Sequence, residues 1–222
     1  MTVHSGARTA CSRCGRPRRG STRRLTKEYG VRVGAHPGWA DLQGFGRREM
    51  TFSTDEAEAL VLYQIGALAG VAEAEGVRLV HVKPHGAMYN QAATDRQLAA
   101  AIARAVRAVD AELILVGLAG SVLVEAGLEA GLRVANEGFP DRRYNADGSL
   151  LSRKQGNALV EAPEEIAAHA VALASEGIDL AGQRVRIETL GLHGDHPRAA
   201  ENAKRVREAL TNGGIEVTAL AP

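Results

Sequence analysis

From residue 28 the chain repeats one rhythm: a short β-branched run, a loop carrying glycine or histidine, then an alanine-rich amphipathic stretch. Short β-branched runs bounded by turn residues read as strands, and apolar positions spaced by three and four read as helices. Candidate strands cover 31–34, 78–82, 113–116, 132–135, 185–190 and 215–219. Runs this short and this apolar suit strands buried on both faces, which is the condition of a parallel sheet. Strands alternating with helices place the chain in the α/β class, with the sheet closed as a barrel or open and doubly wound. No Gly-x-x-x-x-Gly-Lys-[Ser/Thr] and no Gly-x-Gly-x-x-Gly occurs. An open nucleotide-binding sheet therefore has no motif support. A (β/α) barrel is the expected fold, and 222 residues suffice for one such domain, which typically takes about 200 to 250 residues.

Helix punctuation supports the same reading. Ser53 with Glu56 has the spacing of a capping box, opening a helix to about Glu75 that Gly76 ends. Thr94 with Gln97 repeats the device, and Leu98, Ile102, Ala105 and Val109 mark one helical face. Pro163 and Pro197 suit first-turn positions, and Asn212-Gly213-Gly214 stops the last helix.

Charge separates the start of the chain from the rest. Residues 1–27 hold seven arginines and one lysine without an acidic residue, although the whole chain balances 27 basic against 26 acidic residues. A net charge of +1 argues against binding to nucleic acid or a charged membrane surface. Residues 1–24 are read as an aberrant, disordered basic segment and 25–222 as the catalytic domain. The two cysteines, Cys11 and Cys14, both fall in the basic segment. They make half a zinc site at best and no disulfide framework, so a cytoplasmic location is expected. No apolar stretch is read as a membrane span and no signal peptide is recognised.

Reactive groups of such folds collect on loops after the carboxyl ends of strands. Three of these loops carry histidine, in "AHPGWADLQGFGRR", "KPHGAMYN" and "GLHGDHP", and all three are expected at one end of the barrel. His36, biased by Pro37 to an extended conformation, reads as a base or ligand. Arg47 and Arg48 follow Gly44-Phe45-Gly46 and suit a carboxylate or phosphate, with one of the two expected in a surface salt bridge. Lys83 beside His85 is expected to keep that imidazole neutral and base-competent, with Tyr89 and Asn90 as polar handles. His193 and Asp195 precede a helix, where Asp195 serves as cap or as orienting carboxylate. The connection over 136–160 is too long and too charged for a plain loop. Within it Glu137, Asp141, Arg142, Tyr144 and Arg153 are candidates for substrate contact, and Asp147-Gly148 reads as a turn.

"VGAHPGWADLQGFGRREM", "LYQIGALAG", "HVKPHGAMYNQAA", "ILVGLAGS", "EGFPDRRYNADGSLLSR" and "LGLHGDHPRA" together resemble the LamB/YcsF family over about residues 23–222. The resemblance implies a seven-stranded barrel of the glycoside hydrolase/deacetylase type. It implies a cytoplasmic subunit of an ATP-dependent 5-oxoprolinase that works with partner subunits B and C, and with ATP and Mg2+ supplied through the complex, to open 5-oxoproline to glutamate. The roles expected on that basis are water activation by His85 or His36, orientation of His193 by Asp195, and charge neutralisation by Lys83 with Arg47 or Arg48. A homo-oligomer is also open to such a chain. The family's Asp-Leu-Asn-x-Asp-x-Gly-Glu strand and Cys-Gly-Phe-His-Ala-Gly-Asp segment have no counterpart here. The barrel is therefore expected to lack its first one or two strands, through truncation or a frame error upstream of Arg23. Two alternatives stand beside this reading: a deacetylase-like hydrolase with a divalent metal held by an Asp and two His, and a non-catalytic subunit of the same complex.

Overall fold

In the computed structural model the described residues are 2–5, 31–152, 155–180, 182–194 and 198–220. They fall into two compact units, one of residues 1–7, 118–120 and 135–219, the other of residues 8–117, 121–134 and 220–222.

The second of these units holds parallel strands β2 (Val33–Ala35), β3 (Leu79–Val82) and β4 (Ile114–Leu118), with β3 paired to both neighbours. Helix α1 (Thr54–Ala74) follows β2 and opens on the expected capping box. Ser53 Oγ accepts from the Glu56 amide at 3.3 Å, and the Glu56 carboxylate accepts from the Ser53 amide at 2.9 Å. Two helices separate β3 from β4, α2 (Gly86–Ala92) and α3 (Arg96–Val109), and α4 (Val122–Glu129) follows β4. Asp95, rather than Thr94, caps α3. Its carboxylate receives the Gln97 and Leu98 amides at 2.9 and 3.1 Å, and a carboxylate next to the helix start satisfies two otherwise unpaired donors. Val61 and Ile65 of α1, Ile102 of α3 and Leu115 of β4 are fully buried in one core. By length and composition α1 is long and apolar enough to cross a membrane, against the expectation that no stretch would qualify. Its buried Val61 and Ile65, and the hold of Gln64 on the loop after β2, are those of a helix packed on protein.

The other unit holds β1 (Thr2–Ser5), β5 (Arg133–Gly138) and β8 (Thr189–Leu192), with β8 parallel to both β1 and β5. Thr2–Ser5 thus forms a strand inside the segment expected to be disordered. The basic run 8–24, with Cys11 and Cys14, lies outside the described residues. The expected strand 185–190 is divided. Val185 closes a small antiparallel pair, β6 (Ile178–Leu180) with β7 (Gln183–Val185), and β8 begins only at Thr189. Helix α5 (Pro163–Glu176) has Pro163 in its first turn, and α6 (Ala199–Asn212) ends at Gly213 and Gly214. Residues 215–219 form no strand. Ile215 donates its amide to Leu210 O at 2.9 Å, and Ile215 and Val217 pack on the core around fully buried Ile166, Leu190 and Leu210.

Candidate active site

The loops that bear His36 and His85 meet, both in the unit that contains β2 and β3. Pairing of those strands continues past their ends, where the Lys83 amide donates to Ala35 O at 2.9 Å and the His85 amide to Pro37 O at 2.7 Å. This register sets the rings of His36 and His85 edge to face, with Nε2 of one 2.9 Å from Nδ1 of the other. His36 Nδ1 lies 2.6 Å from Lys83 O, and His85 Nε2 lies 2.7 Å from Phe45 O. Both nitrogens of both rings are therefore engaged. His85, expected as a base, spans His36 Nε2 and Phe45 O.

The loop after β2 is held by polar side chains from other elements. Gln64 of α1 accepts from the Gly38 amide and donates to Gly38 O. The buried Trp39 indole donates to Gln91 of α2 at 2.6 Å. Asp41 is buried and accepts from the Gly44 amide at 2.8 Å and from Arg48 Nε at 3.0 Å. The hydrogen bond from Arg48, more than any other influence, holds the Asp41 carboxyl below the usual carboxylate range. Arg48 thus forms a salt bridge with Asp41. The Arg47 guanidinium sits 5.5 Å over the Phe45 ring, and Lys83 Nζ lies 5.8 Å from the centroid of the buried Tyr89 ring. Asn90 is exposed on α2.

Burial, reinforced by Lys83 and His85, pushes His36 down to about 3, and burial with Lys83 pushes His81 of β3 down to about 4. Gly34 is what admits the His81 ring, since a Cβ at position 34 would lie 2.1 Å from His81 Nε2. The unfolded chain protonates both histidines near pH 6.5, whereas the folded chain does so only near 3 and 4. The unfolded state thus binds more protons throughout that window, and stability falls as the pH falls. The denaturation midpoint is expected to drop steadily from about pH 6.5 toward pH 4. Proton uptake on unfolding should approach one each for His36 and His81. A midpoint flat across that range contradicts this account.

The second cluster lies wholly within the unit that contains β5 and β8. Beyond β8, His193 donates its amide to Asp141 Oδ2 at 3.0 Å and places Nδ1 2.7 Å from the same oxygen. The imidazole stacks on Phe139, with centroids 5.5 Å apart. Burial would raise the Asp141 pKa, but the hydrogen bonds and charge of His193, with Arg142, bring it below its ordinary value. An anionic Asp141 fixes Nδ1 as the protonated nitrogen and directs Nε2 away as the basic one. Asp195, expected to orient His193, and Arg153 lie outside the described residues. Among the described residues, Asp141 is the carboxylate that contacts His193 Nδ1.

The remaining candidates lie in β5 or the connection that follows it. Glu137 is fully buried at the end of β5. Arg142 is buried and donates to Leu151 O at 2.6 Å. The Tyr144 hydroxyl accepts from the Phe139 amide at 2.6 Å, and burial pushes its ionisation above the ordinary tyrosine value. Asp147 and Gly148 form the expected turn, with Gly148 at φ 81°. Sequence reasoning did not single out His169, whose Nδ1 lies 2.9 Å from Pro140 O, nor Asp41, Trp39, Gln64, His81 and Gln91. The only available signal was that most of them lie inside the quoted motifs. No group of three His, Cys, Asp or Glu suited to a metal occurs among the described residues.

Residues 5–222 match the LamB/YcsF family. A protein from Methylococcus capsulatus named as the A subunit of 5-oxoprolinase is 55% identical over 203 residues, covering 90% of this chain and 78% of the relative. The protein of that name from Tolumonas auensis is 51% identical over 229 residues, covering 99% and 90%. Among solved structures, the lactam utilization protein from Thermus thermophilus is similar with a TM-score of 0.80 and 48% identity, over 89% of this chain and 81% of that one. The expected α/β barrel class is the fold shared with that relative.

Proposed function

Because the chain belongs to the LamB/YcsF family, we propose that it is the A subunit of an ATP-dependent 5-oxoprolinase, acting with partner subunits B and C on the lactam bond of 5-oxoproline. The observation that carries the reading is the Asp141–His193 pair, with its 2.7 Å hydrogen bond. A five-membered lactam is an unreactive amide, and the sequence has no phosphate-binding Walker loop, so phosphorylation of the lactam oxygen by ATP is assigned to the partners. What this chain then supplies is an activated water. The water oxygen bonds to the ring carbon while its proton passes to His193 Nε2. The carbon–nitrogen bond breaks as the ring nitrogen takes that proton back from His193 and a second from the added hydroxyl, which gives the amine of glutamate and an acyl phosphate, and a second water cleaves the acyl phosphate to release phosphate. Asp141 remains ionised and stabilises the imidazolium formed at His193. A buried anion hydrogen-bonded to the base is the arrangement that this step requires.

The test is reconstitution with subunits B and C from one relative, measuring glutamate formed from 5-oxoproline and ATP. Glutamate is expected only when this chain is present. Equal glutamate production without it overturns the proposal, and ATP hydrolysis that depends on the chain but yields no glutamate favours a non-catalytic subunit.

A further inference from the structure

Three hydrogen bonds run through two imidazoles between two carbonyl groups: Lys83 O to His36 Nδ1, His36 Nε2 to His85 Nδ1, and His85 Nε2 to Phe45 O, at 2.6, 2.9 and 2.7 Å. Carbonyl oxygens only accept, so His36 Nδ1 and His85 Nε2 must each carry a hydrogen. The central bond needs one more. Two neutral imidazoles have two ring protons between them, and this chain of bonds uses three. From this count we infer that the His36–His85 pair holds one proton more than two neutral histidines, as a single shared imidazolium secured by the Lys83 and Phe45 carbonyls. With only two protons, one ring nitrogen would turn its lone pair toward a carbonyl lone pair.

The environment places the extra proton on His85. His36 is the ring that burial and Lys83 keep neutral, so its Nε2 accepts from His85 Nδ1. Among the described residues, the charged and titratable groups around the pair include Lys83 and His81 from β3, Arg47 from the loop after β2, and the Asp41–Arg48 ion pair of the same loop. Gln64, reaching in from α1, is uncharged, and Tyr89 of α2 lies against Lys83. The cations oppose the imidazolium, and the two carbonyl dipoles at its ends favour it.

The backbone is shaped to deliver one of those dipoles. Phe45 has φ 56°, the one positive φ outside glycine among the described residues, and Gly46 follows at 70°. Such conformations are costly and persist where the surroundings over-determine them. Here they aim Phe45 O at His85, while Gly46 O accepts from the Ala87 amide at 2.9 Å and the Phe45 ring meets the His85 ring edge to face at 5.1 Å. The pair is therefore a proton donor with its exit at His85 Nε2. An anion that takes the place of Phe45 O, such as a carboxylate, accepts a charge-assisted hydrogen bond there, with the Nδ1–H still on His36. This inference does not depend on the proposed reaction.

Long-range nitrogen–proton spectra of the full chain labelled with 15N-histidine at pH 7.5 test it, with His36→Ala and His85→Ala used for assignment. Both nitrogens of His85 and only Nδ1 of His36 are expected to carry protons, giving three for the pair. Two protons in total overturn the inference. In His36→Ala the acceptor for Nδ1 is gone, and His85 should lose its second proton at that pH. Retention of both there shows that the pair does not share the charge. If that variant fails to fold, the wild-type count decides alone.

Discussion

His193→Ala is expected to lower ATP-dependent glutamate formation by the reconstituted complex roughly a hundred- to ten-thousand-fold, the usual span for loss of a positioned general base. The loss should fall on kcat, because the imidazole acts on water and not on the substrate's binding energy. Asp141→Asn should give a loss of similar order while keeping the side chain's shape. It removes the charge that fixes the His193 tautomer and stabilises the imidazolium, through the 2.7 Å contact to Nδ1. Steady-state glutamate production at saturating 5-oxoproline measures both effects. Full activity in either variant removes the Asp141–His193 pair from the mechanism.

Gly86→Ala is expected to give a large loss of stability for a change of one methyl group. Gly86 opens α2 at φ 56°, and a Cβ there would stand 2.5 Å from Gly46 O and 3.1 Å from its carbonyl carbon. The left-handed conformation costs a residue with a side chain about 1 to 2 kcal/mol, and an overpacked contact typically adds about 1 to 3 kcal/mol. The obstacle is backbone, so no side chain can rotate aside. Relief requires the 45–46 turn to move, which also disturbs the hydrogen bonds to Ala87 and His85. Urea denaturation of wild type and variant reads the difference, and an unchanged midpoint contradicts the account.

Much of the architecture was legible because it is local. The Ser53–Glu56 capping box, Pro163 in a first turn and the Gly213-Gly214 stop each depend on residues within one helical turn, and all three stand as read. Errors came where local signals competed. Asp95 displaced Thr94 as a cap because its carboxylate reaches two amides. Residues 215–219 have a strand's alternation, yet they carry no strand, and Ile215 and Val217 are spent on packing against the core.

The site was legible as a set of residues and not as a set of pairs. The sequence alone determined the α/β class, the family and the loops that bear histidine, because hydrophobic period and motif order are written along the chain. Tertiary structure decided that His36 faces His85 across 49 positions and that His193 faces Asp141 across 52. It also decided that Arg48, and not Arg47, is committed to Asp41. Strand register and loop closure bring such groups within 3 Å of one another. Proton positions follow from those contacts, since whether an imidazole is a base, a donor or half of a shared cation depends on what meets each nitrogen.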